Sequence, residues 1–364
     1  MVGIKNLRLM NVRSHKSADF VFSGTTNAIV GPNGSGKTTI IEALYTLLRG
    51  SSFKGSIGEI AQYGSNQFRM QLELKSKSTV HERALGYQQI ESTAQKKWSV
   101  DNKNYARLPV SARLPVVLFE PDLARLVSGS PERRRQYLDQ IAGQLDLEVA
   151  IAQNRFERTL KQRNQLLKKL RESGTFTPPS ELFIWNTQLA HLSEQIITAR
   201  CKVIEKLQNE VSSYYRQLGG TDDIFLTYAS TVATDSDQYA SRLLQFLETS
   251  VQRDIALGHT TFGPHRDELE IRLSDQPAVE RASRGEVRTV VIALKLLETE
   301  LLSNHFRNSD IKPLLLLDDV LSELDLVHQE RVLAGFKDHQ VFITTTDAHA
   351  LSPDVHTIAL GQDS

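Results

Sequence analysis

The chain has 364 residues, of which 40% are hydrophobic and 24% charged, and its 43 basic and 43 acidic side chains cancel. That profile suits a globular protein with room for two or three domains, and the neutral balance confines any nucleic-acid surface to a local patch. The single cysteine, Cys201, excludes an internal disulfide and suits helix packing in a reducing compartment; no apolar run could span a bilayer and the N-terminus lacks a signal-peptide core, so a cytoplasmic protein is expected.

Residues 1 to about 120 read as strands with one helix. Ile4–Val12 alternates apolar and polar side chains, the pattern of a half-buried strand, and Thr26–Val30 is a short strand that stops at Gly31. Ala28-Ile29-Val30-Gly31-Pro32-Asn33-Gly34-Ser35-Gly36-Lys37-Thr38-Thr39 then fits the phosphate-loop pattern G-x-x-x-x-G-K-[ST]. Its flanks are the right ones, an apolar strand before it and helical spacing over Thr38–Leu48 after it, with Gly50 as a stop. Glycines let backbone N–H groups turn toward phosphate oxygens, and the helix points its positive end at the same charge. Lys37 supplies a cation to the β- and γ-phosphates of ATP or GTP, and the Thr38 hydroxyl a ligand to Mg²⁺. Met70–Leu74 and Val116–Phe119 are further strands.

From about 131 to 250 glycine becomes scarce and the spacing turns helical. A helix is expected from about Leu145 to Leu170, and Pro178-Pro179 separate it from a long apolar stripe running from Trp185 through Leu192, Ala199, Val203 and Val211 to Leu218. The two read as an antiparallel helical arm. Arg133-Arg134-Arg135 follow Pro131 at a helix start, and Arg155, Arg158, Lys161, Arg163, Lys168, Lys169 and Arg171 crowd the next helix. Such clusters are either a solvated basic face or a groove for DNA phosphates. As candidate DNA contacts we take Arg133, Arg134, Arg135, Lys161, Arg163, Lys168 and Lys169.

From about Thr260 strands and helices alternate again. Lys312-Pro313-Leu314-Leu315-Leu316-Leu317-Asp318-Asp319 is a buried strand ending in two acids, the Walker B form, in which Asp318 holds Mg²⁺ through water and Asp319 orients the attacking water. Asp319 stands where such ATPases usually carry glutamate, and its shorter reach predicts slow hydrolysis. Ala282-Ser283-Arg284-Gly285-Glu286 precedes a helix; Ser283 and Glu286 have capping-box spacing, and their place one helix before the Walker B strand also fits the signature motif of ABC-type ATPases. Ser322-Glu323-Leu324-Asp325 matches the D-loop of that class. Thr344-Thr345-Thr346-Asp347 lies where a switch histidine is usual, with His349 two residues past Asp347.

The organisation is an α/β nucleotide domain, an ABC-type P-loop ATPase head with a split, mixed sheet, interrupted by an inserted α-helical arm. We expect residues 1–125 as the first part of the head, 126–255 as the arm and 256–364 as the second part. His265-Arg266-Asp267 has the letters of a kinase catalytic loop, but Arg272 stands where its asparagine belongs and no kinase glycine loop is present; these residues read instead as polar bracing of a strand. No Cys/His metal set supports a nuclease.

Along essentially its whole length the sequence resembles the RecF family, the recombination-mediator ATPases of bacteria. The resemblance is carried by Leu7–His15, Gly31–Thr39, Phe119–Asp139, Gln162–Leu170, Gly263–Leu269, Ser283–Glu298 and Leu314–Asp325, and the double aspartate is a trait of that family. Glu286 departs from it, standing where glutamine is frequent. The resemblance implies ATP-dependent binding of single- and double-stranded DNA at gaps, with RecR and RecO as partners, RecA loading and SOS support downstream, and ATP closing a head-to-head homodimer. Ser283, Arg284, Gly285, Glu286 and Asp325 would then complete, from a second copy, a site whose other half is Gly31–Thr39 with Asp318 and Asp319. Two other classes share the Walker motifs. A transporter ATPase subunit carries a far smaller helical insertion, and a chromosome-organising head of the SMC type carries much longer coiled coils.

Overall fold

The computed structural model describes residues 2–76, 79–175, 177–234, 238–321, 326–347 and 355–361. In chain order the strands β1 (Val2–Val12), β2 (His15–Val21) and β3 (Thr26–Val30) lead into helix α1 (Lys37–Arg49). Strands β4 (Gln67–Ser76), β5 (Thr79–Ile90), β6 (Thr93–Val100), β7 (Lys103–Tyr105) and β8 (Val116–Phe119) follow. Next come helices α2 (Arg125–Ser128), α3 (Pro131–Leu145), α4 (Leu147–Glu172) and α5 (Ser180–Gln217), then β9 (Ile224–Ala229), α6 (Tyr239–Thr249) and α7 (Val251–Leu257). Strands β10 (Glu268–Leu273) and β11 (Gln276–Pro277) precede α8 (Ala278–Arg281) and α9 (Arg284–His305). The chain closes with β12 (Leu314–Leu317), α10 (Leu326–Ala334), β13 (Val341–Thr345) and β14 (His356–Ala359).

Two compact units result, residues 1–123 with 298–364, and residues 124–297. In the first, an antiparallel sheet of order β2-β1-β4-β5-β6-β7 and a sheet of order β14-β3-β13-β12-β8 share one core. Every pairing in the second sheet is parallel. Four of its strands, β3, β13, β12 and β8, are short and mostly buried on both faces, as parallel strands usually are, while the edge strand β14 alternates half-buried and exposed residues. Helix α1 packs against both sheets; Ile40, Ile41, Leu44, Leu47 and Leu48 are wholly buried among Leu7, Met70, Leu72, Ile29, Val116 and Leu316. Eleven of its thirteen residues are buried, polar ones included, so the helix is enclosed on nearly every side. Its start is therefore rigidly placed, and with it the end of the phosphate loop.

The second unit is mostly helical. α4 and α5 run antiparallel: Arg163 meets Asn186 and Phe156 packs among Leu189, Ile196 and Ile197, so contacts advance along one helix as they retreat along the other. The helix expected from Leu145 starts at Leu147, because Asp146 accepts a hydrogen bond from the Glu148 N–H and caps it. Of the stripe on α5, Val203, Leu207 and Val211 are buried, while Trp185, Leu192 and Ala199 are half-buried. β10 pairs antiparallel with β9, Glu268 opposite Ala229 through Leu273 opposite Ile224. This pairing joins residues 268–273 to the helical unit, so the division that the sequence reading put after residue 255 falls inside that unit.

The turn Gly263–Asp267 ties two helices and a strand of this unit together. From α5, Arg200 makes a two-pronged contact with Asp139 of α3 at 2.8 and 2.7 Å and donates to the Pro264 carbonyl at 2.7 Å. From α3, Arg135 donates to the Asp267 carbonyl, and Tyr228 of β9 donates to the Asp267 carboxylate. Burial works against the Arg200 charge, but the Asp139 carboxylate and Tyr228 outweigh it and hold the guanidinium above its ordinary value. His265 faces the Thr260 carbonyl at 3.2 Å and Arg266 donates to it at 3.0 Å. The His-Arg-Asp run thus braces the backbone.

Candidate nucleotide site

β3, β13 and β12 lie side by side, and the candidate residues leave from their carboxyl ends, where ligands bind in open parallel sheets. The phosphate loop follows β3. Gly34 and Gly36 have φ of 85° and 90°, the left-handed region open to glycine. Pro32, Asn33 and Gly34 are exposed, whereas Gly31, Ser35, Lys37 and Thr39 are buried and Thr38 is half-buried. The loop is anchored on both sides: Gly31 N–H donates to Thr345 and Leu360 N–H to Val30.

Lys37 Nζ donates to the Gly31 carbonyl at 2.7 Å and the Pro32 carbonyl at 2.9 Å. The ammonium thus lies against the loop's own backbone, within reach of anything the loop encircles. The buried Ser35 hydroxyl has no hydrogen-bond partner among the described residues. Behind the loop, His15 at the start of β2 is fully buried, with Nε2 3.3 Å from the Gly36 carbonyl. Burial lowers its pKa. Arg13, in the β1–β2 turn, binds Glu42 of α1 through two hydrogen bonds of 3.0 and 2.9 Å, and Ser52 donates to the same carboxylate.

The acids come from β12. The Thr38 hydroxyl donates to Asp318 Oδ1 at 2.9 Å, joining residues 280 positions apart. Thr344 of β13 donates to the same oxygen, also at 2.9 Å. Asp318 Oδ2 is buried with no hydrogen-bond partner among the described residues. Burial raises the Asp318 pKa, and the Thr344 and Thr38 hydroxyls and the nearby Lys54 pull it back down. A buried carboxylate oxygen left open beside a threonine hydroxyl is a hard oxygen donor set, and it fits a divalent cation such as Mg²⁺. Asp319 is half-buried with φ 52°, and its N–H donates to Thr344 Oγ1 at 2.7 Å.

Ser283, Arg284 and Gly285 are exposed at the start of α9 and Glu286 is half-buried. The capping box is formed: Ser283 N–H donates to the Glu286 carboxylate at 2.8 Å and Glu286 N–H to the Ser283 hydroxyl at 3.3 Å. Those bonds hold the Glu286 pKa below its ordinary value. Ser322, Glu323, Leu324, Asp325 and His349 lie outside the described residues.

The basic candidates divide. Lys161, Lys168 and Lys169 are exposed on α4, with Arg155 and Arg158 along the same face. Arg163 is not on it. Its side chain is wholly buried, paired with Asp254 at 2.7 Å and bonded to Asn186 and Thr260, so it cannot meet a DNA phosphate. Arg134 is engaged by Glu268 and the Val127 and Gly129 carbonyls, and Arg135 by Asp267, while Arg133 is half-buried. The sequence places Thr344 at the switch position but does not show its contact with the two acids, and it does not mark His15 or Lys54 as part of the site. Polar residues at the end of a strand beside the acid-bearing strand were the available sign for Thr344; no periodicity marks the other two.

The family model described as "RecF/RecN/SMC N terminal domain" matches residues 3–360. A DNA replication and repair protein RecF of Ruminiclostridium cellulolyticum is 32% identical, with 94% of this chain and 92% of that protein aligned. Its counterpart in Herpetosiphon aurantiacus is 31% identical over 96% and 95%. Among solved structures, the recombination mediator protein RecF with ATP, of the RecFOR pathway, superposes with a TM-score of 0.87 at 27% identity, covering all of this chain and 96% of the other. An Smc head domain from Pyrococcus furiosus shares the fold at a TM-score of 0.52 and 16% identity. Among the described residues no helix is long and apolar enough to cross a membrane. With an ABC-type ATPase head, a complete set of phosphate-loop residues and relatives matched nearly end to end, the chain belongs to the RecF family of DNA replication and repair proteins.

Proposed function

We propose that this chain is an ATP-dependent DNA-binding switch of recombinational repair and replication restart, acting in the cytoplasm. ATP closes a homodimer on single- or double-stranded DNA at gaps, RecR and RecO are its partners, and RecA loading follows. The observation that carries this reading is the Thr38–Asp318 hydrogen bond, which joins the phosphate loop to the acid strand. The likeness to a RecF bound to ATP supports the same ligand here.

The loop N–H groups and Lys37 hold the β- and γ-phosphates. Thr38 and Asp318 would hold Mg²⁺, which when bound offsets phosphate charge. Asp319 orients the attacking water, and its short side chain makes hydrolysis slow. Such a site times the dimer's lifetime on DNA. Ser283, Arg284, Gly285, Glu286 and Asp325 complete the site of the second copy, where Ser283 and the helix N-terminus it caps meet the γ-phosphate. The exposed face of α4, with Lys161, Lys168 and Lys169, contacts DNA phosphates. The arm is short for a chromosome-organising head: α5, at 38 residues, spans about 57 Å.

Sedimentation with and without ATP and gapped DNA tests this. Wild type should dimerise on DNA only with ATP, and Lys37→Met should stay monomeric. ATP-independent dimers, or a mutant indistinguishable from wild type, would defeat the proposal.

A further inference from the structure

Thr344 is fully buried near the end of β13, flanked by β3 and β12. A β-branched side chain on a buried strand has little rotational freedom, so its hydroxyl points in one direction. That hydroxyl is placed between two consecutive acids. It accepts from the Asp319 N–H at 2.7 Å and donates to Asp318 Oδ1 at 2.9 Å; the Leu317 carbonyl, at 3.5 Å, is the poorer acceptor. Asp319 meanwhile holds a left-handed backbone with φ 52°, a conformation unfavourable for a non-glycine residue that persists where neighbouring contacts fix it.

We propose that Thr344 is the positioning residue of the hydrolytic site: one hydroxyl fixes the carboxylate of Asp318 and the backbone turn from which the Asp319 side chain departs. The proposal rests on the reading of Asp319 as the acid that orients water. In that reaction the water oxygen bonds to the γ-phosphorus. The bond to the bridging oxygen breaks with its electron pair staying on ADP, and the water proton passes to the Asp319 carboxylate and then to the products. Thr344 touches none of the reacting atoms. Without its oxygen, the Asp319 N–H loses this 2.7 Å acceptor, a contact made at the left-handed turn itself. A strand of this family's head that lacks a histidine at the usual switch place thus still contributes to the site, through the acids.

The test compares full-length wild type, Thr344→Val, Thr344→Ser and Asp319→Asn in single-turnover ATP hydrolysis, with nucleotide affinity measured separately by titration. Thr344→Val keeps the shape and removes the hydroxyl. It should slow hydrolysis at least about tenfold while ATP affinity stays within about threefold, since the phosphate loop is untouched. Thr344→Ser should restore most of the rate, which a role in strand packing alone would not produce. Thr344→Val turning over at the wild-type rate while Asp319→Asn is slow would overturn the role of Thr344. An Asp319→Asn chain as fast as wild type, or a wild type without turnover, would overturn the reading of Asp319 beneath it. Should the valine variant lack a cooperative melting transition, Thr344→Ala takes its place under the same criteria.

Discussion

Arg163 and Asp254 form an ion pair at 2.7 Å with neither side chain exposed to solvent. The pair pins α7 to α4, and further bonds come from nearby: Asn186 and Thr260 accept from Arg163, and Thr261 donates to Asp254. Removing one partner strands a buried charge, which costs roughly 3–5 kcal/mol, although the intact pair itself adds little beyond an apolar replacement. Arg163→Met should therefore lower unfolding stability by about that amount, read from urea denaturation. Arg163→Met with Asp254→Leu should recover much of the loss. The salt dependence of DNA binding by folded Arg163→Met should match wild type; a flatter slope would return Arg163 to the DNA surface.

That arginine marks where sequence reading fails. The phosphate loop and the acid strand are legible because their chemistry is written in contiguous residues flanked by their own strand and helix. Arg163 stands among basic neighbours in the sequence, yet it follows Phe156 by seven residues and precedes Leu167 by four, the spacing of the buried stripe. The periodicity held the warning, but the partner that makes burial tolerable is 91 residues away and no local pattern announces it. Thr344 is similar. Its polar side chain at a strand end was visible, but its contact with Asp318 and Asp319 depends on β13 pairing with β12, a long-range event. The helical unit's second boundary was missed for the same reason, since the β9–β10 pairing spans the expected division.

His265 gives the fold a pH signature. Burial depresses its pKa to about 4, with Arg266, Arg135 and Arg163 acting in the same direction and the Thr260 carbonyl against it. The unfolded chain takes up this proton near 6.5 and the folded chain does not until about 4, so the unfolded state binds more protons in between. Stability from this group is complete above about 6.5 and falls as pH drops toward 4, by on the order of 2–3 kcal/mol. Asp267, whose pKa burial raises, works with the opposite sign, so the comparison is wild type against His265→Gln. The glutamine variant should show a shallower loss between pH 6.5 and 4 in chemical unfolding; parallel curves would mean that His265 is not buried neutral.

Two glycines of the phosphate loop should respond differently to alanine. Both have positive φ, so each substitution carries a backbone cost of about 1 kcal/mol. At Gly34 a Cβ meets nothing within 4 Å, and at Gly36 it would collide with His15 Nε2 and lie 2.5 Å from Ser14 Oγ. His15 is buried against Phe20, an edge contact of 5.6 Å between ring centres, and has no room to withdraw. Gly36→Ala must then displace the loop or the β1–β2 turn. Calorimetric titration should show ATP binding abolished in Gly36→Ala and weakened by about tenfold or less in Gly34→Ala. Equal losses would mean that His15 does not support the loop.

The exposed face of α4 carries the last prediction. Arg155, Arg158, Lys161, Lys168 and Lys169 share it, and of these Lys168 has only a 3.8 Å pair with Glu172, both side chains more than half exposed. An exposed pair of that length adds little stability, so either lysine can be reversed without harming the fold. Each phosphate contact on duplex DNA contributes about 0.9 to the slope of log affinity against log salt concentration. If Lys168 and Lys169 each meet a phosphate, Lys168→Glu with Lys169→Glu should flatten that slope by about 2 in the presence of ATP, with melting temperature unchanged. The loss should be alike for unrelated DNA sequences, because phosphates carry no base information. An unchanged slope would remove the arm from the DNA footprint and leave the basic face as a solvated one.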